Sequence, residues 1–202
     1  LEELLNDFIK KKIQIILITN RNNQGFNILK KKIKHKNIKF INFNSYSYSY
    51  IHDFLIKKKL EFILYFIAPF QPLILLFTII RFFKLLKKFK NVKNIFSING
   101  AYPASWANIS IIYAAKLLNF KKRVMLVHHE ASKPRLVLKL YNWLIDKLLS
   151  RCLTDLVCVS KATLSSIKKK RNLNFRLFKS KIIYNDLKIF QKNLSKKLFF
   201  NY

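Results

Sequence analysis

Short runs of β-branched and apolar residues alternate along this chain with stretches of helical periodicity, and that alternation leaves few architectures open. IQIILIT (13–19), NIKFINF (37–43), NIFSING (94–100), RVMLVHH (123–129), DLVCVS (155–160) and KIIYND (181–186) each have the length and content of a buried strand. Between them, LEELLNDFIKKK, GFNILKKKIKHK, IHDFLIKKK and WANISIIYAAKLL space their apolar residues three and four apart, as helices do. Strands that alternate with helices pair in parallel, because the helix carries the chain back to the start of the next strand. The expected fold is α/β, a Rossmann-like parallel sheet sandwiched by helices, with SYSYSY (45–50) as a loop.

A chain of 202 residues can bury one such core without disulfides or metals. Its two cysteines, Cys152 and Cys158, lie in one helix-to-strand segment, so neither a disulfide framework nor a zinc quartet is expected, and a reducing cytoplasm fits. The chain carries 40 Lys and Arg against 9 Asp and Glu, a formal charge of +31. Such a field draws phosphate-rich partners or anionic lipid. Abundant Ile, Asn and Phe with only 2 Gly is also how an AT-rich coding sequence translates, so charge alone chooses no partner. The opening LEELLNDF has no basic region ahead of an apolar core, so no signal peptide is expected. A start at Leu1 instead of Met suggests that residues of the natural product precede it.

Residues 60–80, LEFILYFIAPFQPLILLFTII, break the alternation, with Glu61 as the one charge. The length could span a bilayer, which needs about 20 apolar residues. Pro69, Gln71 and Pro72 spoil a uniform helix, and the RFFKLLKKFK that follows is amphipathic like a membrane-surface helix. Three readings stay open: a span, an interfacial contact, and the favoured one, a buried or groove-lining helical pair broken at the prolines.

Three segments could carry chemistry. In NGAYPASWAN (99–108), Gly100 permits a tight turn after a strand, and Ser105 can cap the next helix, whose N-terminus would offer amides to an anion or a sugar hydroxyl. An ordinary βα loop reads the same way. VHHEASKP (127–134) ends a strand with His128, His129 and Glu130. If the strand persists, the imidazoles face opposite ways and at most one can act as donor or proton carrier, with Glu130 orienting it. A strand-end histidine that satisfies local backbone is the plain alternative. In DLVCVSKATLSSI, Ser160 is a plausible N-cap. His35 and His52 read as solvated. The chain has neither the dinucleotide-binding glycine fingerprint nor a P-loop, and no metal-ligand spacing, so no cofactor or metal is expected.

Taken in order, NGAYPAS, VHHEA, YNWLIDKLLSRCLTDLVCVSKATLSSI and KIIYNDLK resemble the N-terminal, acceptor-side domain of the GT-B family-four retaining glycosyltransferases. Residues 91–188 carry the likeness by motif and 1–90 by layout. Ala101, Ala104 and Asp186 stand where the family usually has glycine.

The resemblance implies one half of a two-domain GT-B enzyme. Residues 1–186 would form the Rossmann-like domain, lacking its first strand, and 187–202 a linker or the start of an absent donor-binding domain. It implies sugar transfer with retention, from a nucleotide-sugar held by that missing domain to a glycan or lipid-linked acceptor, in surface polysaccharide or glycolipid synthesis. His128 or His129 would contact the sugar or acceptor, with Glu130 orienting it. Asn99, Gly100 and Tyr102 would line the acceptor side, and Ser160 would cap the helix facing the cleft. Such an enzyme works in the cytoplasm or peripherally on the cytoplasmic face of the inner membrane, where the basic, aromatic 60–90 region would meet anionic lipid. As a fragment or degraded copy, the chain is expected to be inactive alone. The competing reading is a non-enzymatic basic module for anionic membrane or nucleic acid. The lysines are scattered instead of gathered on one readable element, so nucleic acid is not expected as a partner.

Overall fold

The computed structural model describes residues 2–19, 24–89, 91–134 and 138–184. The Asn185–Asp186 turn and the 187–202 linker of the sequence reading lie outside the described residues. The protein is α/β, with parallel sheets flanked by helices, as the alternation of strand-like and helix-like runs implies. Where the sequence reading drew one domain over 1–186, the chain divides into two compact units, Leu1–Tyr46 and Ser47–Tyr202.

The first unit runs α1 (Glu2–Lys10), β1 (Ile15–Thr19), α2 (Gln24–Lys32), β2 (Ile38–Asn42). The two strands pair in parallel, Ile15 opposite Ile38 and Thr19 opposite Asn42. Leu5 of α1, Leu29 of α2, Ile33 and Ile38 close a small core, and Phe26 sits edge-on to Phe40 at 5.4 Å.

The second unit holds α3 (Tyr48–Lys57), α4 (Ile63–Ile67), a 3-10 turn (Ala68–Phe70), α5 (Gln71–Leu86), β3 (Asn94–Asn99), α6 (Trp106–Leu117), β4 (Lys122–Val127), α7 (Lys139–Cys152), β5 (Asp155–Cys158), α8 (Lys161–Lys170) and β6 (Lys179–Ile182). Its four strands lie in chain order, β3-β4-β5-β6, all parallel. All four β5 residues are buried, as a parallel strand covered on both faces requires. Ile109 and Ile112 of α6, Met125 and Val127 of β4, Leu149 of α7 and Leu156 of β5 form the centre of the core.

Several sequence expectations shift here. SYSYSY is only half a loop, because Tyr48, Ser49 and Tyr50 open α3. Residues 60–80 do break at the prolines, each taking an early position in a helical turn where a missing amide costs nothing. The pair is not buried, however: α5 buries one stripe, Gln71, Leu75, Thr78, Phe82 and Leu86, and packs it on α6. Lys12, Lys59 and Asn119 hold left-handed φ angles of 56°, 57° and 57° just past α1, α3 and α6. Each closes a paired C-terminal turn, as where Lys59 N donates to Ile56 O and Leu60 N to Leu55 O, both at 2.9 Å. Glycine usually fills that position, and this chain spends neither of its two glycines there.

Candidate functional site

Parallel pairing puts the carboxyl ends of β3, β4 and β5 on one edge of the second unit's sheet. Asn99 pairs with Val127, and Val127 with Cys158. The residues that follow these ends are Gly100, His128 and Val159, and Val159 N donates to Val127 O at 3.2 Å. The edge therefore gathers Asn99, Gly100, His128, His129 and Ser160 from three separate stretches of sequence. In open α/β sheets this carboxyl edge is where ligands bind.

The backbone fixes the histidines. Gly100 O accepts from His128 N at 2.9 Å and from His129 N at 2.6 Å, and Asn99 O is 3.2 Å from His128 N. The strand stops at Val127, ahead of both, so the pleat does not send the two rings to opposite faces. His128 is half-buried and His129 exposed, with ring centroids 6.5 Å apart. Gly100 does not adopt a positive φ, and an added Cβ would meet only His129 Cδ2 at 3.9 Å, an ordinary contact. The tight turn expected of it is made without the glycine's special freedom.

Asn99 is fully buried, and among the described residues neither its side-chain nitrogen nor its oxygen has a hydrogen-bond partner. A buried amide left without partners costs about 1–3 kcal/mol.

Other expectations are corrected. Glu130 does not orient an imidazole, because its Oε2 is bound to Lys170 Nζ at 2.8 Å. That hydrogen bond and the lysine charge lower the carboxyl's pKa. Tyr102 does not line an open acceptor side. It is fully buried, its hydroxyl donates to Asp146 Oδ1 at 2.7 Å, and burial first, then the Asp146 charge, drives its pKa well above the tyrosine range. Its carbonyl holds the histidine loop instead, accepting from Ser132 N at 3.0 Å. Ser105 makes no side-chain cap on α6. Ser49 does that work from α3, with Trp106 N donating to its Oγ at 3.3 Å and its hydroxyl donating to Ala104 O at 2.9 Å. The first amide of α6 is thus already engaged. Ser160 is the N-cap of α8, its Oγ accepting from Thr163 N at 3.0 Å.

Sequence reasoning missed what lies beneath this edge. The Asp146 carboxylate accepts from Arg171 Nε at 3.1 Å and from its terminal nitrogen at 2.8 Å, from the Tyr102 hydroxyl, and from Asn172 N at 2.9 Å. The same guanidinium donates to Asn142 Oδ1 at 3.0 Å and lies 5.0 Å over the Tyr102 ring. Both charged side chains are at most 1% exposed, so each depends wholly on the other for its charge balance. Ser166 adds a second tie, its Oγ accepting from Ala131 N at 3.0 Å. The loop 128–132 is held from β3, from Tyr102 and from α8.

Among the described residues, no group of three His, Cys, Asp or Glu side chains is placed to hold a metal ion. The class defined by fold and edge is a parallel α/β protein with a polar constellation at its strand ends. No protein-family model, no curated protein and no solved structure matches the chain.

Proposed function

We propose that this chain is the acceptor-side α/β domain of a retaining, nucleotide-sugar-dependent glycosyltransferase of GT-B type. The observation that carries the reading is the carboxyl edge itself: buried Asn99 with its unpartnered amide, Gly100, and the two histidines locked to the Gly100 carbonyl. The sequence motifs NGAYPAS and VHHEA that suggested the family lie side by side there. In this reading one imidazole meets hydroxyls of the acceptor or of the transferred sugar, while Asn99, fully buried, holds the edge through its carbonyl to the His128 amide. A second domain holds the nucleotide-sugar, and its cationic and backbone donors stabilise the leaving phosphate. Glu130 acts through Lys170, fixing that side chain next to the histidine loop.

The test measures transfer of labelled sugar from a panel of nucleotide-hexoses to a membrane lipid extract, using this chain and the longest reading frame that contains it. The frame transfers sugar and the 202-residue chain alone does not. His128→Ala or His129→Ala lowers transfer by about 10²-fold or more with an unchanged circular dichroism spectrum. Normal turnover by both variants, or no sugar-dependent product from the frame with any donor, overturns the reading.

A further inference from the structure

The largest feature that this reading leaves unused is the outer face of α4 and α5. Tyr65 and Phe66 of α4 are 81% and 71% exposed, and Phe62 and Phe70 beside them are also open. Along α5 the outward stripe reads Leu73, Leu76, Phe77 and Ile80, all exposed, at helical spacing. The same stripe continues into Lys84 and, one turn on, Lys87, both exposed. Exposed Lys57, Lys58 and Lys59 precede α4, and exposed Lys88 follows α5. No acidic residue occurs between Glu61 and Glu130. An apolar groove of 230 Å³ between α5, α6 and α7, lined by Leu75, Leu76, Ile79, Leu117, Ile145 and Leu148, adjoins this surface at Leu76. A soluble monomer rarely exposes apolar surface in one contiguous stretch of this kind.

We propose that α4–α5 is a docking surface for an anionic lipid bilayer, lying in the interface plane with its aromatic and aliphatic face inserted and its lysines on the headgroups. An apolar helix face bordered by Lys, with aromatic side chains on the inserted side, is the physical signature of such binding. Charge chooses this occupant over a second copy of the chain, since two faces each bounded by lysine clusters, with Glu61 the one acid at the margin, repel. Packing chooses docking over spanning. The segment Ile63–Leu86 is long and apolar enough to cross a membrane, but its Gln71-to-Leu86 stripe is buried against α6, and a span would strip that contact away. Lysines flank the pair at both ends, Lys57, Lys58 and Lys59 ahead of α4 and Lys84, Lys87 and Lys88 at the end of α5, so the apolar middle inserts while both ends stay at the headgroups. The proposal stands whether or not the chain belongs to a sugar-transferring enzyme.

The test is flotation of the 202-residue protein with vesicles of phosphatidylcholine alone and with one third phosphatidylglycerol. Wild type floats with the anionic vesicles, and binding falls with salt. Phe66→Ser with Phe70→Ser lowers the partition constant at least tenfold, and Lys84→Gln with Lys87→Gln and Lys88→Gln removes most of the preference for anionic lipid. These side chains are exposed, so the melting curve stays in place for each variant. A Phe66→Trp variant shows a blue-shifted emission that brominated lipid quenches. Three results overturn the proposal. The first is no binding to anionic vesicles. The second is equal binding by the Phe66/Phe70 variant, which reduces the effect to the bulk charge of +31. The third is resistance to alkaline carbonate extraction, which means a span.

Discussion

Replacing Arg171 by Met tests whether the buried Tyr102–Asp146–Arg171 network holds up the histidine edge. The variant leaves the Asp146 carboxylate at zero exposure, with only the Tyr102 hydroxyl and the Asn172 amide as donors among the described residues. Removing one partner of a buried ion pair costs about 3–5 kcal/mol, a fifth or more of the roughly 5–15 kcal/mol that a domain has in total. At a urea dependence of about 2 kcal/mol per molar, the unfolding midpoint falls by about 2 M. Both tryptophans, Trp106 and Trp143, lie in the unit that holds the network, so tryptophan fluorescence follows the relevant transition. Asp146→Leu costs a similar amount, since it strands the guanidinium on Asn142. The double variant removes both charges and leaves two orphaned donors, Tyr102 Oη and Asn172 N, at about 1–3 kcal/mol each. It therefore loses several kcal/mol less than the two single losses added together, far beyond the roughly 0.3–0.5 kcal/mol scatter of independent sites. A loss below about 1 kcal/mol for Arg171→Met, or simple additivity in the double variant, refutes the reasoning.

Two further outcomes follow from the same structure. Lys59→Gly relieves a left-handed residue at the end of α3, where an L side chain costs about 1–2 kcal/mol and glycine returns about 0.5–1 kcal/mol of that as entropy. Stability rises by under about 1 kcal/mol in urea unfolding, and a decrease removes the cap argument. Burial pushes the Cys158 thiol from 9.0 up to about 11, so between those values the unfolded chain has lost a proton that the native state keeps. Stability then falls as pH rises across that window, more steeply in wild type than in Cys158→Ala. Identical slopes in the two proteins count against a buried thiol.

The α/β architecture was legible because each strand is a short β-branched run, a signal confined to a few neighbouring residues. Boundaries moved by one to four residues, most tellingly at β4, which ends at Val127 and frees both histidines from the pleat. The site was legible in its backbone parts, Asn99, Gly100, His128, His129 and Ser160, which follow directly from strand ends. Its side-chain partnerships were not. Ser49 caps α6 from more than fifty positions away, which no local pattern announces. Asp146 gave one readable sign, falling on the buried α7 stripe with Asn142, Ile145 and Leu149, where a lone acid among apolar neighbours calls for a cation. Which cation it takes depends on how α7 lies against the turn after α8, a tertiary fact. Residues 60–80 misled because apolar composition reports cost in water and not what covers the surface.

The strand order of the larger unit carries a consequence for how the molecule is made. Because β3, β4, β5 and β6 are neighbours in the sequence in which they leave the ribosome, each new strand joins the strand synthesised just before it. No strand has to wedge between two earlier ones. Each joining step closes a loop of about thirty residues, the span of one βαβ unit, and similar loops cost similar entropy. Synthesis and assembly can thus run at the same pace, with β3 as the first template.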